Sequence, residues 1–495
     1  MKRFLLFLLT ATAGYNALAQ NNGKISVSGL IPEMANGKLT IDFLGKPIAE
    51  TAVAADGSFN YSGTKMKPGF YHSNLNYFIY LEPGMNLQIN RGANGFNFQN
   101  KGSVENNLIV NIQKLQYDML SVKNYSLGET AAFIEPNDFL DKIAAYKKTV
   151  NELCDKTNVS KNLATLVKGT AEYDAKLFIS QYKIGYGYDK EKSDSASRFL
   201  TQMMKNKKPN EPIDPADMQH YSALRRASKV KTLSAEDESK LEVFENFDVN
   251  NGSMYAASIS YRKLLDDRLR QLQQSELVLT PSLKSKSALE MRAFLVNKHI
   301  SDPIIREHLL FDNLLKGIRP GIAYEKAYQN YIASAQDEGY VIEVKKQYER
   351  MKQLNAGNSS PKFEYEDVEG KLVSSESFKG NYVYIDLWAT WCQPCVAEIP
   401  ALKELQKAYA GKNIQFLSIS TDKKADLEKW RSFVREKELT GTQLIVNKDS
   451  EFYKFYNIAT IPRFVLLDKE GKIIDANAKR PSNPVLKEEL DKLLN

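Results

Sequence analysis

The chain has little cysteine and little histidine, with three residues of the first and four of the second among 495. An exported domain that relied on disulfides would need more cysteines, in pairs spread along the chain. A zinc site needs about four ligands, and the histidines, at positions 72, 220, 299 and 308, all lie far upstream of the closely spaced Cys392 and Cys395. We therefore expect no structural disulfide framework, no metal site and no cofactor.

A strong excess of charge of one sign is also absent. Lysine and arginine number 67 against 60 aspartate and glutamate residues, which gives a net charge of +7. Nucleic-acid binding would need a clustered basic face, so we expect no nucleic-acid partner. Hydrophobic residues make up 43% of the chain. This is enough for two or three cores and argues against a disordered protein.

Long hydrophobic runs are lacking too. The apolar run at residues 4–9 is far shorter than the roughly 20 residues that span a bilayer. It follows Lys2 and Arg3 and leads to Ala17-Leu18-Ala19, the pattern of a secretory signal peptide. We predict that residues 1–19 are cleaved after export to the periplasm or cell envelope. No cysteine near the cleavage point could carry a lipid.

The hydrophobic pattern changes along the chain. In residues 24–102, apolar and polar residues alternate over short stretches bounded by turns, which predicts a small antiparallel β domain. Residues 104–352 have helical spacing and predict an all-helical middle region, and residues 353–361 have the composition of a linker. Residues 362–495 form a further domain, so we expect a multidomain protein. The alternating residues include Ile25, Val27, Leu39 and Ile41, and the helically spaced residues include Tyr261, Leu265 and Leu269.

Cys154 stands apart from the other two cysteines, within the predicted helical region. It shares one helical face with Ile143, Tyr146 and Val150. Free cysteine is usually buried and inert, so we interpret Cys154 as a core residue. A resolving or intermolecular role is the alternative.

Cys392 and Cys395 follow a predicted buried strand, residues 382–387, at the start of a predicted helix, residues 394–410. A dithiol after the first strand of such an α/β arrangement is typical of the thioredoxin fold. The remaining predicted elements are strands at 414–420, 443–446, 463–467 and 472–475 and helices at 424–434 and 485–494.

The spacing of Cys392 and Cys395 suits a dithiol that closes and reopens. At a helix start, unpaired N–H groups and the helix dipole favour a thiolate, so Cys392 is the candidate nucleophile. Cys395, one turn into the helix, would resolve the mixed disulfide. A zinc half-site and a static disulfide are the alternatives.

Residues 360–495 resemble the TlpA/ResA-type thioredoxin-like domain of secreted thiol-disulfide oxidoreductases. The resemblance lies in Trp388-Ala389-Thr390-Trp391-Cys392-Gln393-Pro394-Cys395, Glu398-Ile399-Pro400 and Thr460-Ile461-Pro462. The first 100 residues resemble, more weakly, a β domain of unknown function that precedes such modules in envelope proteins of Gram-negative bacteria. The helical middle is similar to the connecting region of those proteins.

The resemblance implies roles for residues around the dithiol. Asp386 matches the buried acid that acts as a base for the resolving thiol, and Glu398 matches a glutamate near the dithiol. An exposed Glu398 could instead merely complement the helix dipole. Ile461 and Pro462 match a substrate-binding segment with a cis peptide bond.

The two tryptophans next to the dithiol and Arg463 have separate expected roles. Trp391 is the expected contact surface for substrate, and Trp388 is an expected core residue. For Arg463 we expect either a preference for acidic client segments or a side chain that points to solvent.

The leading hypothesis is a periplasmic oxidoreductase that reduces disulfides of client proteins and is itself reduced by a membrane electron donor. The resemblance suggests apocytochrome c as a client, and hence cytochrome c-type biogenesis. A peroxiredoxin-like peroxidase is one alternative, although Thr390 stands two residues before Cys392 where the peroxidase motif needs three. The other is a redox-linked binding or scaffold protein. The region before the linker could dock clients or form a homodimer.

Overall fold

The computed structural model describes residues 23–494 except positions 65, 76, 93–94, 129–130, 132, 207–214, 320–321, 447–450 and 459. The predicted signal peptide, residues 1–19, lies outside the described residues. Within the described ranges, no helix has the length and apolar character needed to cross a bilayer. The multidomain prediction is confirmed, with an N-terminal sheet region, a helical middle and a C-terminal α/β region. The chain folds as two compact units, the second of which contains the C-terminal sheet.

Two four-stranded sheets pack face to face at the N-terminal end. The strands are β1 (Ile25–Leu30), β2 (Lys38–Phe43), β3 (Lys46–Ala52), β4 (Ser58–Gly63), β5 (Gly69–Ser73), β6 (Tyr77–Leu81), β7 (Asn86–Gly92) and β8 (Gly95–Gln99). They are ordered β4-β1-β7-β8 and β3-β2-β5-β6. Neighbours are antiparallel except β1 and β7, where Val27 lies opposite Leu87 in a parallel pair. A parallel pair needs a crossover, which the strands of the other sheet provide.

Helices dominate the next 250 residues, as predicted. They are α1 (Ser103–Leu120), α2 (Pro136–Lys156), α3 (Lys161–Gly185), α4 (Lys190–Asn206), α5 (Pro215–Ser228), α6 (Ala235–Lys240), α7 (Gly252–Ala257), α8 (Ile259–Leu279), α9 (Ala288–His299), α10 (Pro303–Gly317), α11 (Glu325–Ser334) and α12 (Glu338–Gln353). Cys154, on α2, is buried in the core beside Tyr146 and Val150, which confirms its interpretation as a core residue. Burial raises the pKa of the Cys154 thiol, so little of it is in the reactive thiolate form.

The C-terminal unit contains a seven-stranded sheet of order β10-β9-β13-β12-β11-β14-β15. The strands are β9 (Glu364–Asp367), β10 (Leu372–Ser374), β11 (Tyr382–Trp388), β12 (Ile414–Ser420), β13 (Thr442–Ile445), β14 (Arg463–Leu467) and β15 (Ile473–Asp475). Strands β11, β12 and β13 are parallel, and β14 is antiparallel to β11. The thioredoxin fold is confirmed, and the β9-β10 hairpin is an addition to the predicted elements.

The helices of this unit are α13 (Gln393–Val396), α14 (Ile399–Ala408), α15 (Leu427–Glu436), α16 (Glu451–Phe455) and α17 (Pro484–Leu494). The single helix predicted at 394–410 is wrong, because it is broken between Val396 and Ile399. Pro400 has no N–H to donate to the carbonyl of Val396, so regular helical bonding cannot continue there.

The predicted linker is held against the edge of the sheet. Gly357 N–H donates to the carbonyl of Ile473 (2.8 Å), Ile473 N–H donates to that of Asn358 (2.8 Å), and Ser360 N–H donates to that of Gly471 (3.0 Å). The Tyr456 hydroxyl also donates to Ser360 Oγ at 2.9 Å. Residues 357–360 therefore cover the outer edge of β15.

A buried asparagine joins α1 to the edge strand β6. Asn106 Nδ2 donates to the carbonyls of Tyr80 and Gly102, and its Oδ1 accepts from Tyr80 N–H, each at 2.9 Å. Tyr80 and Asn106 are both fully buried. The amide side chain thus provides the hydrogen bonds that another strand would otherwise give to Tyr80.

We predict that Asn106→Ala destabilises the N-terminal region by about 2 kcal/mol, because it leaves buried backbone groups unsatisfied. The Tyr80 amide should then exchange with solvent deuterium about 30-fold faster. Asn107→Ala is the matched control, since Asn107 is an exposed neighbour. Equal exchange at Tyr80 in both variants would contradict this account.

Candidate active site

The dithiol lies where a buried strand meets a helix start. Strand β11 is buried from Val383 to Trp388, and Cys392 is the N-cap of α13. Its Sγ accepts a hydrogen bond from the N–H of Cys395 at 3.3 Å. An N–H donor at this position stabilises a thiolate on Cys392.

Cys392 and Cys395 form a disulfide in this structure, with Cα atoms 5.3 Å apart. Both are buried, at 4% and 2% exposure. In the disulfide form the two cysteines thus differ little in exposure. The described residues contain no cluster of three or more His, Cys, Asp or Glu side chains that could hold a metal ion.

The two tryptophans next to the dithiol lie in different surroundings. Trp388 is buried and packs against Phe433, with ring centroids 5.6 Å apart, so its prediction as a core residue is confirmed. Trp391 is 56% exposed. Its side chain is therefore accessible to a substrate that approaches Cys392.

Asp386 lies in the middle of β11, opposite Ser418 of β12 and Phe464 of β14. It shares a strand face with Tyr384 and Trp388, which pack under α14 and beside the dithiol, respectively. Burial, together with the smaller effect of the Glu398 charge, raises the pKa of Asp386 to about 8. Among the described residues, none gives its carboxyl a hydrogen bond within normal distance.

Glu398 lies in the break between α13 and α14 and is buried, which argues against the alternative of an exposed residue that complements the helix dipole. Its Oε2 accepts from Ser482 N–H and its Oε1 from the Ser482 hydroxyl, both at 3.0 Å. Arg480 Nη1 lies 3.8 Å from Oε1. The segment before α17 therefore fixes this carboxylate three residues beyond Cys395.

The peptide bond between Ile461 and Pro462 is cis, as predicted. Ile461 is half-buried and packs on the hydrophobic cluster that contains Trp388, Cys392 and Cys395. The structure thus brings this segment beside the dithiol.

Arg463 is half-buried, so the expectation that its side chain points to solvent is wrong. Its Nε donates to the carbonyl of Ala476 at 3.0 Å, so the guanidinium folds back onto the sheet. Burial lowers the pKa of Arg463, while the charge of Asp475 acts in the opposite direction. The side chain therefore packs in the β14-β15 region.

Asp422, which follows β12, is not among the predicted site residues. Its Oδ2 accepts from Thr390 N–H (2.9 Å) and from the Ser420 hydroxyl (2.6 Å), and its Oδ1 accepts from the Thr390 hydroxyl (2.9 Å). Ser482 and Arg480, the partners of Glu398, are not among them either. Only the position of Asp422 carried a signal, because carboxyl ends of neighbouring parallel strands meet at one edge of a sheet.

The fold and the dithiol define a thioredoxin-fold oxidoreductase. Residues 355–494 match the Redoxin family. Thiol-disulfide oxidoreductase ResA of Bacillus cereus is 30% identical over 146 residues, which are 30% of this chain and 83% of that protein. The thioredoxin-like protein YneN of Bacillus subtilis is 30% identical over 142 residues, 28% of this chain and 80% of the relative.

Among solved structures, the thioredoxin domain of a thiol-disulfide oxidoreductase from Bacteroides vulgatus is 30% identical. The match covers 29% of this chain and 99% of that domain, with a TM-score of 0.27. Through its C-terminal domain, the chain belongs to the ResA-type family of thiol-disulfide oxidoreductases. The matches to ResA and YneN span less than a third of the chain.

The raised pKa of Asp386 predicts a pH-dependent stability. The unfolded carboxyl loses its proton near pH 4, whereas the folded one keeps it to about pH 8. The free energy of unfolding should therefore fall as pH rises from about 4 to 8 and then level off. Asp386→Asn removes this loss and should stabilise the domain at pH 8 by about 1 kcal/mol or more.

Urea unfolding of the oxidised protein, followed by tryptophan fluorescence, measures this, because all three tryptophans lie in the C-terminal domain. Asp426→Asn is the control, since Asp426 is a half-buried aspartate of the same domain. A stability difference between Asp386→Asn and wild type that stays constant from pH 5 to 8 would show that Asp386 is not the group responsible.

Proposed function

We propose that the protein is an exported thiol-disulfide oxidoreductase that reduces disulfides of client proteins through Cys392 and Cys395. The observation that carries the proposal is the Cys392–Cys395 pair at the start of α13. Exposed Trp391 next to Cys392 and half-buried Ile461 beside the dithiol support contact with an extended client segment.

The proposed reaction has two exchanges. The Cys392 thiolate attacks one sulfur of a client disulfide, which forms a mixed disulfide and releases one client thiolate. The Cys395 thiolate then attacks Cys392 Sγ and releases the second client thiolate. Two electrons pass from the enzyme dithiol to the client, which takes up two protons, and the enzyme disulfide remains.

Asp386 is proposed as the base that prepares Cys395 for the second exchange. A carboxyl with a pKa of about 8 can hold or release a proton near neutral pH, unlike an exposed aspartate. Its position on the β11 face that packs against the dithiol supports a role close to Cys395. Glu398 is proposed as a second catalytic carboxylate, whose charge contributes to the raised pKa of Asp386.

The location and partners are proposed from the sequence. Residues 1–19 support export to the periplasm or cell envelope, where a membrane electron donor would restore the dithiol. The family resemblance suggests apocytochrome c among the clients, in cytochrome c-type biogenesis. Residues 24–352 are proposed to dock clients or to form a homodimer, which light scattering of the mature protein would detect.

The test replaces each cysteine in turn. Cys395→Ser should accumulate a mixed disulfide between Cys392 and an oxidised peptide, because the resolving thiol is gone. Cys392→Ser should reduce the peptide at least about a thousandfold more slowly than wild type. Mass spectrometry of the adduct and the rate of peptide thiol release measure the two effects.

Cys154→Ser is the matched control and should react as wild type, since Cys154 is buried in the helical core. An adduct through Cys395 in the Cys392→Ser variant would reverse the assignment of the two thiols. Turnover of hydrogen peroxide in preference to the peptide would favour a peroxidase, and no turnover of either substrate would favour a scaffold.

The direction of electron flow has its own test. For a reductase, the reduction potential of the Cys392/Cys395 pair should lie near that of thioredoxin, about −270 mV. Equilibration of the full mature chain with dithiothreitol buffers, read by tryptophan fluorescence, measures it. A value near about −120 mV, typical of a strong oxidant, would contradict the proposal that the protein reduces its clients.

A further inference from the structure

The turn before Cys392 is hydrogen-bonded at two residues, Trp388 and Thr390, to the chain that follows the neighbouring strand β12. The carbonyl of Trp388, at the end of β11, accepts from Thr421 N–H (2.7 Å) and from the Thr421 hydroxyl (3.1 Å). Two residues later, Thr390 donates both its N–H and its hydroxyl to Asp422. Cys392 N–H then donates to the carbonyl of Ala389 at 3.0 Å, which closes the turn.

We propose that Asp422 is a positioning residue that fixes the Thr390 turn and so keeps Cys392 at the N-cap of α13. This inference rests on the function proposed above, because it takes Cys392 as the attacking thiol. Asp422 acts through Thr390 and not by contact with the client.

The hydrogen bonds of Asp422 are suited to hold the Thr390 turn in a fixed position. Its carboxyl accepts from three donors, the Thr390 N–H, the Thr390 hydroxyl and the Ser420 hydroxyl, at 2.6–2.9 Å. Asp422 N–H in turn donates to Ser420 Oγ at 3.0 Å. Asp422, Thr390 and Ser420 are all buried, at 2%, 6% and 0% exposure. Buried hydrogen bonds of this kind resist breakage because the freed groups would find no water.

The position of the turn matters because the Cys392 thiolate depends on its surroundings. Its Sγ accepts from the N–H of Cys395 at the start of α13, a contact that stabilises a thiolate. This contact acts only over hydrogen-bond distances. A turn that moves by even about 1 Å should therefore weaken the thiolate and slow its attack.

Asp422 could act on Cys392 through its position or through its charge. The two roles predict opposite shifts of the pH at which Cys392 reacts when Asp422 is replaced. If the Asp422 carboxylate acted through its charge, its removal would favour the thiolate and lower the pH at which Cys392 reacts. If Asp422 acts by position, loss of its hydrogen bonds raises that pH. Asp386 on β11 and Glu398 beside α14 also carry titratable carboxyls near the dithiol, and they are unchanged in every variant compared.

The experiment measures the alkylation of Cys392 by iodoacetamide in the reduced full-length protein, from pH 5 to 9, with peptide mapping by mass spectrometry. Asp422→Ala should slow the reaction at pH 7 about tenfold and raise its pH midpoint. Asp422→Asn should stay within about twofold of wild type, because its amide can keep the Thr390 and Ser420 contacts. Asp426→Asn is the matched control for loss of an aspartate charge nearby.

Thr390 provides a second route if Asp422→Ala fails to fold. Thr390→Val loses the hydroxyl contact and should slow alkylation about threefold, whereas Thr390→Ser keeps it and should restore the rate. The inference is overturned if Asp422→Ala and Thr390→Val match wild type, or if Asp422→Asn is as slow as Asp422→Ala. Alkylation needs no client, so failure of wild type to reduce an oxidised peptide would count against the proposed function alone.

Discussion

The parallel register of β11 and β12 is the constraint on which the candidate site depends. Trp388 lies opposite Ser420, so both strands end at the same level of the sheet. The chain beyond β12 can therefore bond to the chain beyond β11, and Asp422 meets Thr390 there. One residue of slip would turn every buried side chain of β11 to the opposite face. The core and the geometry of the dithiol are thus set by the same pairing.

The three buried carboxyls around the dithiol differ mainly in their hydrogen bonds. Asp422 accepts from Thr390 and Ser420, and Glu398 accepts twice from Ser482. Asp386 is buried with no such donor among the described residues, and its pKa is raised to about 8. Burial alone thus does not assign a role. The pattern of donors separates Asp422, which holds the backbone of the turn before Cys392, from Asp386, which is suited to exchange a proton near neutral pH.

Features encoded by local pattern could be predicted from the sequence, and features that depend on strand pairing could not. The limits of β12 and β14, the cysteine pair and the burial of Trp388 follow from nearby residues. The β9-β10 hairpin escaped prediction because its strands are only four and three residues long and β9 is mostly acidic. Asp422 pairs with Thr390, Glu398 with Ser482 and Arg463 with Ala476. These partners lie 13 to 84 positions away, and only the folded sheet and helices bring them together.

The hydrogen bonds between residues 357–360 and β15 also bear on where the C-terminal domain begins. Composition alone puts the boundary after the polar stretch, yet Gly357, Asn358 and Ser360 complete the outermost layer of the sheet. A fragment cut within this stretch would leave the N–H and carbonyl groups of β15 open to strands of other molecules. Residues 357–360 thus protect the edge of β15 from pairing with a strand of another molecule.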